Sequence, residues 1–147
     1  MPSFSAMDIS GSALYAGRVH MEVIASNIAN AGSTRSERGG PYRRLITLLA
    51  AKENRVPPEY RARPREGVFD GRGVQVLGVV EDQSPLPLKF DPDHPDAGPD
   101  GFVAMPNVDP LSEMADLIIA ARSYEANITV FNATKQMAMK ALEIGKA

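Results

Sequence analysis

The 147-residue sequence contains no cysteine. Disulfide bridges, zinc fingers and cysteine nucleophiles are therefore excluded. No run of about 18 apolar residues is present, so the sequence predicts no membrane-spanning segment. The first residues include Asp8 and have no basic region before a long apolar run, so we expect no cleavable secretory signal.

A large excess of charge of one sign is also lacking. The formal net charge is −2, which gives no reason to expect a protein that binds nucleic acid or a membrane surface through its total charge. Apolar residues make up 44% of the chain, which is enough to form a core and argues against wholesale disorder. The length predicts one domain or two small ones.

The most prominent feature that is present is a helical pattern over residues 110–144 without internal glycine or proline. Asp109 is suited to the N-cap, Pro110 to the first helical position and Gly145 to the position after the end. At ~1.5 Å per residue the helix is roughly 50 Å long, which is more than a globule of this size needs.

Two apolar seams follow this helix, the first with spacings that alternate between three and four as in a heptad stripe. The first seam consists of Met114, Leu117, Ala121, Tyr124, Ile128 and Phe131 and, after a break at Lys135, Ala138 and Leu142. The second seam consists of Ile119, Ala126, Val130, Ala133, Met137 and Ile144. Because a helix on a globule needs only one apolar face, two seams predict packing on both sides, inside a bundle or between neighbouring molecules.

A second helix is predicted over residues 4–31, with a capping box by spacing at Ser5 and Asp8 and a stop at Gly32. Its apolar stripe consists of Met7, Ser10, Leu14, Gly17, Met21, Ile24, Ile28 and Ala31. Gly11 and Gly17 each cost the helix about 1 kcal/mol relative to alanine, and they either allow another helix to approach or are merely tolerated. The two helices can pair, antiparallel or crossed, but they cannot cover both seams of the C-terminal helix, which predicts an assembly subunit.

The region between the helices predicts β structure. Residues 42–49 could form a strand or a short helix, and the strand is favoured. Residues 68–105 indicate strands at 73–80, 86–90 and 102–105, with Asp100-Gly101 as a hairpin turn. The predicted fold class is α+β. Residues 1–32 and 107–147 form a discontinuous helical coiled-coil assembly domain, and residues 33–106 form a small β-rich domain.

Charges are unevenly distributed in this middle region. Residues 35–65 carry nine basic and three acidic side chains, a local charge of +6, whereas residues 81–100 carry six acids and one lysine, a local charge of −5. A nucleic-acid patch is one interpretation of the basic segment, but no binding module surrounds it. The two segments are expected to pair within one domain, the more ordinary arrangement, or between stacked copies.

The sequence does not predict an active site. His20 lies beside the apolar stripe and His94 in a proline-rich turn, and neither has a catalytic spacing. Residues 91–96 (DPDHPD) resemble a calcium loop only superficially, because they lack its glycine and closing glutamate. We therefore expect no enzyme activity, no metal and no cofactor.

Several blocks resemble a known family. Residues 10–14 (SGSAL) followed by 25–31 (ASNIANA) resemble the N-terminal signature of bacterial flagellar rod and hook axial proteins. Residues 39–44 (GGPYRR) and 91–96 (DPDHPD) are similar to the proximal rod protein C branch of that family. So are residues 73–82, 106–108, 113–114 and 122–127. Gly32-Ser33 departs from the more polar pair expected there, and residues 48–66 match only loosely.

The resemblance implies a structural subunit of the basal-body rod, polymerising helically into the shaft that links the membrane ring and export gate to the distal rod and hook. Implied partners are other copies, other rod proteins and membrane-ring or export-gate adaptor proteins, with no nucleic acid and no small-molecule substrate. The implied location is the rod crossing the periplasm, reached by flagellar type III export. The alternative is a free-standing coiled-coil adaptor.

The predicted assembly interface combines residues of both helices: Leu14, Gly17, Met21, Ile24, Asn27, Ile28, Asn30, Met114, Leu117, Ala121, Tyr124, Ile128, Phe131, Met137 and Leu142. Asn27 and Asn30 are expected either to fix register between helices or, for Asn30, to cap the helix end. Tyr124 is expected mainly to pack. Arg122 and Glu125 bridge to neighbours or stay solvated.

Overall fold

A computed structural model describes residues 2–36, 39–52 and 73–144 of the chain. Its elements, in chain order, are α1 (Pro2–Ala29), β1 (Leu45–Ala51), β2 (Val74–Glu81), β3 (Leu88–Phe90), β4 (Phe102–Ala104) and α2 (Pro110–Ile144). The α+β prediction is confirmed. Residues 68–72, which were included in the predicted β region, and Gly145 lie outside the described ranges.

The strands form two antiparallel pairs. In the first, Leu45 of β1 lies opposite Glu81 of β2, and the register shifts between Leu48 and Leu49. In the second, Phe90 of β3 lies opposite Phe102 of β4, and the ring centroids are 5.2 Å apart in an edge-to-face arrangement. All four strands were predicted, with ends that differ by a few residues.

The predicted start of α2 is confirmed. The Asp109 carboxylate accepts hydrogen bonds from the Leu111 backbone N–H and the Ser112 hydroxyl, as an N-cap does. The predicted ends of α1 are wrong. The helix begins at Pro2, so Ser5 lies inside it and not at the N-cap position that a capping box requires. It ends at Ala29, before Gly32, and Gly32 does not adopt the left-handed conformation of a cap.

The two helices pack antiparallel, since the end of α1 meets the start of α2 and the middle of α1 meets a later part of α2. The contacts that define this are Asn27 with Glu113 and Gly17 with Tyr124. On its other side α1 contacts both β1 and β2, which α2 does not. Thus α1, not α2, is the helix that is covered on two sides.

The apolar core is small. Among the described residues, the buried apolar side chains are Ala16, Val23, Ile24, Val103 and Ala120. Four of these belong to the helices, and Val103 is the buried residue of β4. Many large apolar side chains consequently remain at the surface of a single chain.

Candidate assembly surface

The predicted interface residues of α1 are mostly covered within the chain. Ile24 and Asn27 are buried, and the remaining ones, Leu14, Gly17, Met21, Ile28 and Asn30, are half-buried. A Cβ added at Gly17 would lie 3.5 Å from Cδ2 of Tyr124, so this glycine lies directly under the tyrosine ring. At Gly11 no atom of the described residues lies within 4 Å of such a Cβ, so neither described helix uses the space there.

The first seam of α2 divides into two groups. Leu117, Ala121, Tyr124, Phe131 and Ala138 are half-buried. Met114, Ile128 and Leu142 are 52%, 39% and 70% exposed. The first group lies on the face of α2 that contacts α1 through Glu113 and Tyr124. The second group lies at the edges of that face or near the end of the helix.

The second seam of α2 is exposed along its whole length. Ile119 and Val130 are 68% and 51% exposed, and Met137 and Ile144 are 62% and 79% exposed. Ala126 and Ala133, which lie between them, are also exposed. We call this set the outer strip: Ile119, Ala126, Val130, Ala133, Met137 and Ile144. It contains no charged residue, and its length makes it unlike the scattered apolar residues of an ordinary surface.

A buried polar cluster lies at the end of α1. Asn27 and Glu113 are each only 1% exposed, and the Asn27 amide donates to Glu113 Oε2 at 3.0 Å. Arg44 Nε donates to Glu113 Oε1 at 2.6 Å. Glu113 was not predicted as a buried acid from the sequence. Helical spacing could have found it, because it lies four residues before Leu117 on the covered face.

Asn30, by contrast, acts locally. Its side-chain amide donates to the carbonyl of Ser26 at 2.9 Å, and its Oδ1 accepts from the Ser33 hydroxyl at 3.2 Å. This closes the turn after α1, in agreement with the capping alternative. Arg122 and Glu125 pair with each other at 2.9 Å on the exposed side of α2.

The proline-rich turn after β3 is tied to the turn after α1. Asp96 accepts hydrogen bonds from the Thr34 hydroxyl and from Arg35, and the Thr34 bond is the main reason that the pKa of Asp96 is lowered. Nδ1 of His94 accepts from the Asp96 backbone N–H at 3.1 Å. One basic and one acidic residue of the two charged segments therefore pair within the chain.

Neither a metal site nor a membrane span emerges from the part of the chain that is described. Within residues 2–36, 39–52 and 73–144, no group of three His, Cys, Asp or Glu side chains could hold a metal ion. No helix in these ranges combines the length and hydropathy needed to cross a bilayer. Residues 37–38 and 53–65 of the basic segment lie outside the described ranges.

Comparison with protein families gives two matches at the two ends of the chain. Residues 7–35, most of α1 and the following turn, match the family described as flagella basal body rod protein. Residues 100–144, which include α2, match the C-terminal family of the flagellar basal body rod FlgEFG proteins. Both matches thus centre on the two helices.

Curated relatives match over the full length. The flagellar basal-body rod protein FlgC of Bacillus subtilis is 45% identical over 150 aligned positions, which cover 99% of this chain and 100% of the relative. The FlgC protein of Borreliella burgdorferi is 40% identical, covering 98% of both chains. That of Salmonella typhimurium is 40% identical, covering 99% of this chain and all of the relative.

Proposed function

The chain belongs to the flagellar basal-body rod protein family named FlgC, and on that premise we propose that it builds the proximal rod by helical polymerisation of its terminal helices. It is a structural subunit of the basal-body rod. The resemblance to this family implied the same role.

The observation that carries the proposal is the outer strip of α2. Covering this strip removes apolar surface from water, which contributes about 25 cal/mol per Å² of area buried. The opposite side of α2 is already covered by α1, so the strip needs a helix from another subunit. We propose that neighbouring rod subunits supply it, packing as in a coiled coil along the predicted seam.

The geometry of such a contact favours a filament. The outer strip and the surface it meets on a neighbour are different surfaces, so the contact is heterologous, and a heterologous contact that does not close generates a helix. In this arrangement residues 1–32 and 107–147 act as one helical assembly domain, and residues 33–106 act as a smaller domain that contacts neighbours. The predicted interface residues Met114, Ile128 and Leu142 lie on the other side of α2 from the strip, so they contact a second neighbouring subunit.

We further propose the partners, the location and the route. The partners are other copies, other rod proteins and the adaptor proteins of the membrane ring and export gate. The rod crosses the periplasm, and the chain reaches it by flagellar type III export. The role is mechanical, without catalysis, a cofactor, a nucleic acid or a small-molecule substrate, since a rod needs stiff, close packing to transmit torque.

The test is a charge placed on the outer strip. Val130→Asp puts a carboxylate on a side chain that is 51% exposed in the single chain, so the isolated protein keeps its fold. In the rod the same carboxylate is desolvated, which is costly without a partner. We expect Val130→Asp to abolish swimming in soft agar and to remove the protein from purified basal bodies.

Gln136→Asp is the matched control. Gln136 is exposed on α2, away from the outer strip. Gln136→Asp lowers the helix propensity at least as much as Val130→Asp does, because glutamine is a better helix former than valine. We expect it to leave motility closer to wild type than Val130→Asp does. Normal swimming and normal incorporation of the Val130→Asp variant would rule out the strip as the subunit contact.

A further inference from the structure

The polar cluster at the end of α1 joins three elements at one point. We call it the joint: the side chains of Asn27, Tyr42, Arg44 and Glu113 around the backbone of Leu45. Asn27 belongs to α1, Glu113 to α2, and Leu45 is the first residue of β1. With Asn27 and Glu113 each 1% exposed, the joint is among the most buried sites of the described chain although it is polar.

The Asn27 amide uses its full hydrogen-bonding capacity, which is two donors and two acceptor sites. Its Oδ1 accepts from the Leu45 N–H at 2.9 Å and from the Tyr42 hydroxyl at 3.0 Å. Its Nδ2 donates to the Leu45 carbonyl at 3.0 Å and to Glu113 at 3.0 Å. The amide thus pairs with both backbone groups of Leu45, as a residue of a neighbouring strand would.

This pattern makes asparagine specific at position 27. Turning the amide around would direct its oxygen at two acceptors, the Leu45 carbonyl and the Glu113 carboxylate. Aspartate has the same shape but no donor, so it would meet the same two acceptors with a negative charge. An aspartate at this buried position therefore loses two hydrogen bonds and adds a repulsion.

Glu113 holds the other side of the joint. A buried carboxylate is tolerated only when it is paired and hydrogen-bonded. Arg44 Nε provides the pairing at 2.6 Å, and Asn27 provides the second hydrogen bond. Because Glu113 lies in the first turn of α2, its negative charge is also favoured by the helix dipole.

Both connections between the helix pair and the β region pass through the joint. The chain leaves α1 through residues 30–44 and returns to α2 through residues 105–109. Asn107, in the returning connection, accepts a hydrogen bond from the Arg44 backbone N–H at 2.8 Å and donates to the Asp82 carbonyl at 3.2 Å. The outgoing and returning segments are therefore fastened to each other beside Glu113.

We propose that Asn27 and Glu113 are positioning residues that fix the register of α1 against α2 and, in the same contact, the orientation of β1 relative to the helix pair. The outer strip and the β region then reach a neighbouring subunit in one fixed geometry. This last step rests on the proposed role of the chain in the rod, whereas the coupling of the three elements does not.

The coupling is tested by hydrogen exchange on the purified full chain, residue by residue. In Asn27→Asp the carboxylate can still accept from the Leu45 N–H, but its other oxygen repels the Leu45 carbonyl and Glu113. We therefore expect roughly ten- to hundredfold faster exchange along β1 and, together with it, in the first turns of α2. The β3–β4 hairpin is the internal reference, because its strands contact neither helix. Asn30→Asp is the matched control, since it adds the same charge three residues away where the hydrogen bonds are local.

A charge-swapped double variant separates positioning from general destabilisation. In Asn27→Asp with Glu113→Gln the net charge is unchanged, and the amide introduced at position 113 can donate to the new carboxylate at position 27. We expect slow exchange to return in the first turns of α2 but not along β1, because the Leu45 carbonyl still faces a carboxylate oxygen in place of its donor. If Asn27→Asp also unfolds the reference hairpin, the Glu113→Gln variant is used alone, because it keeps an acceptor for Arg44. Exchange in β1 and in the first turns of α2 is then compared with that of the hairpin in this variant.

Three results would overturn the inference or part of it. Equal exchange in Asn27→Asp and Asn30→Asp would remove the special role of position 27. Faster exchange confined to β1, with α2 unchanged, would show that the elements are not coupled. If exchange is faster in both β1 and α2 but Asn27→Asp is incorporated normally into basal bodies, the coupling of the elements stands and its part in assembly is contradicted. The Val130→Asp test is independent of this result.

Discussion

At the scale of single residues, the start of β2 approaches α1 so closely that position 73 requires a glycine. Gly73 has a φ of +90°, and a Cβ there would overlap Ser12 Oγ and lie 3.3 Å from the backbone Cα of Ile9. The Ser12 hydroxyl accepts a hydrogen bond from the Val74 N–H at 3.1 Å, so it cannot rotate away without cost. This contact holds the start of β2 on α1.

Gly73→Ala should therefore destabilise the isolated chain. The left-handed backbone alone costs about 1–3 kcal/mol for a residue with a side chain, and the lost Val74 hydrogen bond adds to it. Urea unfolding measures the loss. Gly11→Ala is the control, because it adds a methyl group in open space and should gain up to about 1 kcal/mol from helix propensity. Equal stability of the two variants would contradict the contact.

At the scale of elements, the helix pair depends on a small residue at the crossing with Tyr124. The 3.5 Å distance between a Cβ at Gly17 and the ring is an ordinary van der Waals contact, so there is room for one methyl group and no more. The prediction that Gly17 allows close approach agrees with this geometry. The parallel interpretation of Gly11 does not, since no atom approaches it within the described chain.

Two substitutions at Gly17 should thus have opposite effects. Gly17→Ala should be neutral or stabilising, because helix propensity improves and the methyl group fits. Gly17→Leu should cost about 1–3 kcal/mol, because the larger side chain separates the helices at Tyr124. Both values come from urea unfolding of the isolated chain. A destabilising alanine would mean that the helices approach too closely for a methyl group, and a neutral leucine would mean that they are not in close contact there.

The start of α2 should depend on pH. The Ser112 hydroxyl and then the Leu111 N–H lower the pKa of Asp109 below its ordinary value of 3.8, because they stabilise the carboxylate. The stabilisation is therefore fully present above that value and is lost as the pH falls through the lower, folded-state pKa. Asp82, whose pKa is lowered chiefly by the Ser84 N–H, and Asp96 contribute losses in the same range.

Asp109→Asn isolates this effect. Asparagine caps a helix about as well as aspartate but does not titrate, so stability at pH 7 should change little. Below about pH 4 the variant should lose less stability than the wild-type chain. Unfolding curves between about pH 3 and 7 measure the difference. A loss on acidification that is the same in both proteins would exclude a titrating cap.

At the scale of the whole molecule, the helices and strands could be predicted from the sequence, but their arrangement could not. Periodicity located both helices, and alternating apolar residues with turn signals located the strands, because these signals are local. The pairing of β1 with β2 around a register shift, and the position of α1 between sheet and α2, depend on contacts between distant residues. The joint is the clearest example, since Asn27 and Glu113 are 86 positions apart.

The candidate interface was predictable to a similar extent. The second seam of α2 was predicted from spacing, and its exposure in the single chain agrees with a surface awaiting a partner. The first seam was predicted as one stripe, but the structure covers Leu117, Tyr124 and Phe131 and leaves Leu142 exposed. A periodic pattern indicates which residues share a face, whereas only the fold decides whether the same chain covers that face.

The central claim is that the outer strip is open in the single chain and buried in the rod, and thiol labelling tests it most directly. The chain has no cysteine, so Ala133→Cys introduces a single reporter with little change in size. We expect fast labelling of the isolated protein, slow labelling in intact basal bodies, and fast labelling again after the basal bodies are denatured. Equally fast labelling in intact basal bodies would contradict the claim.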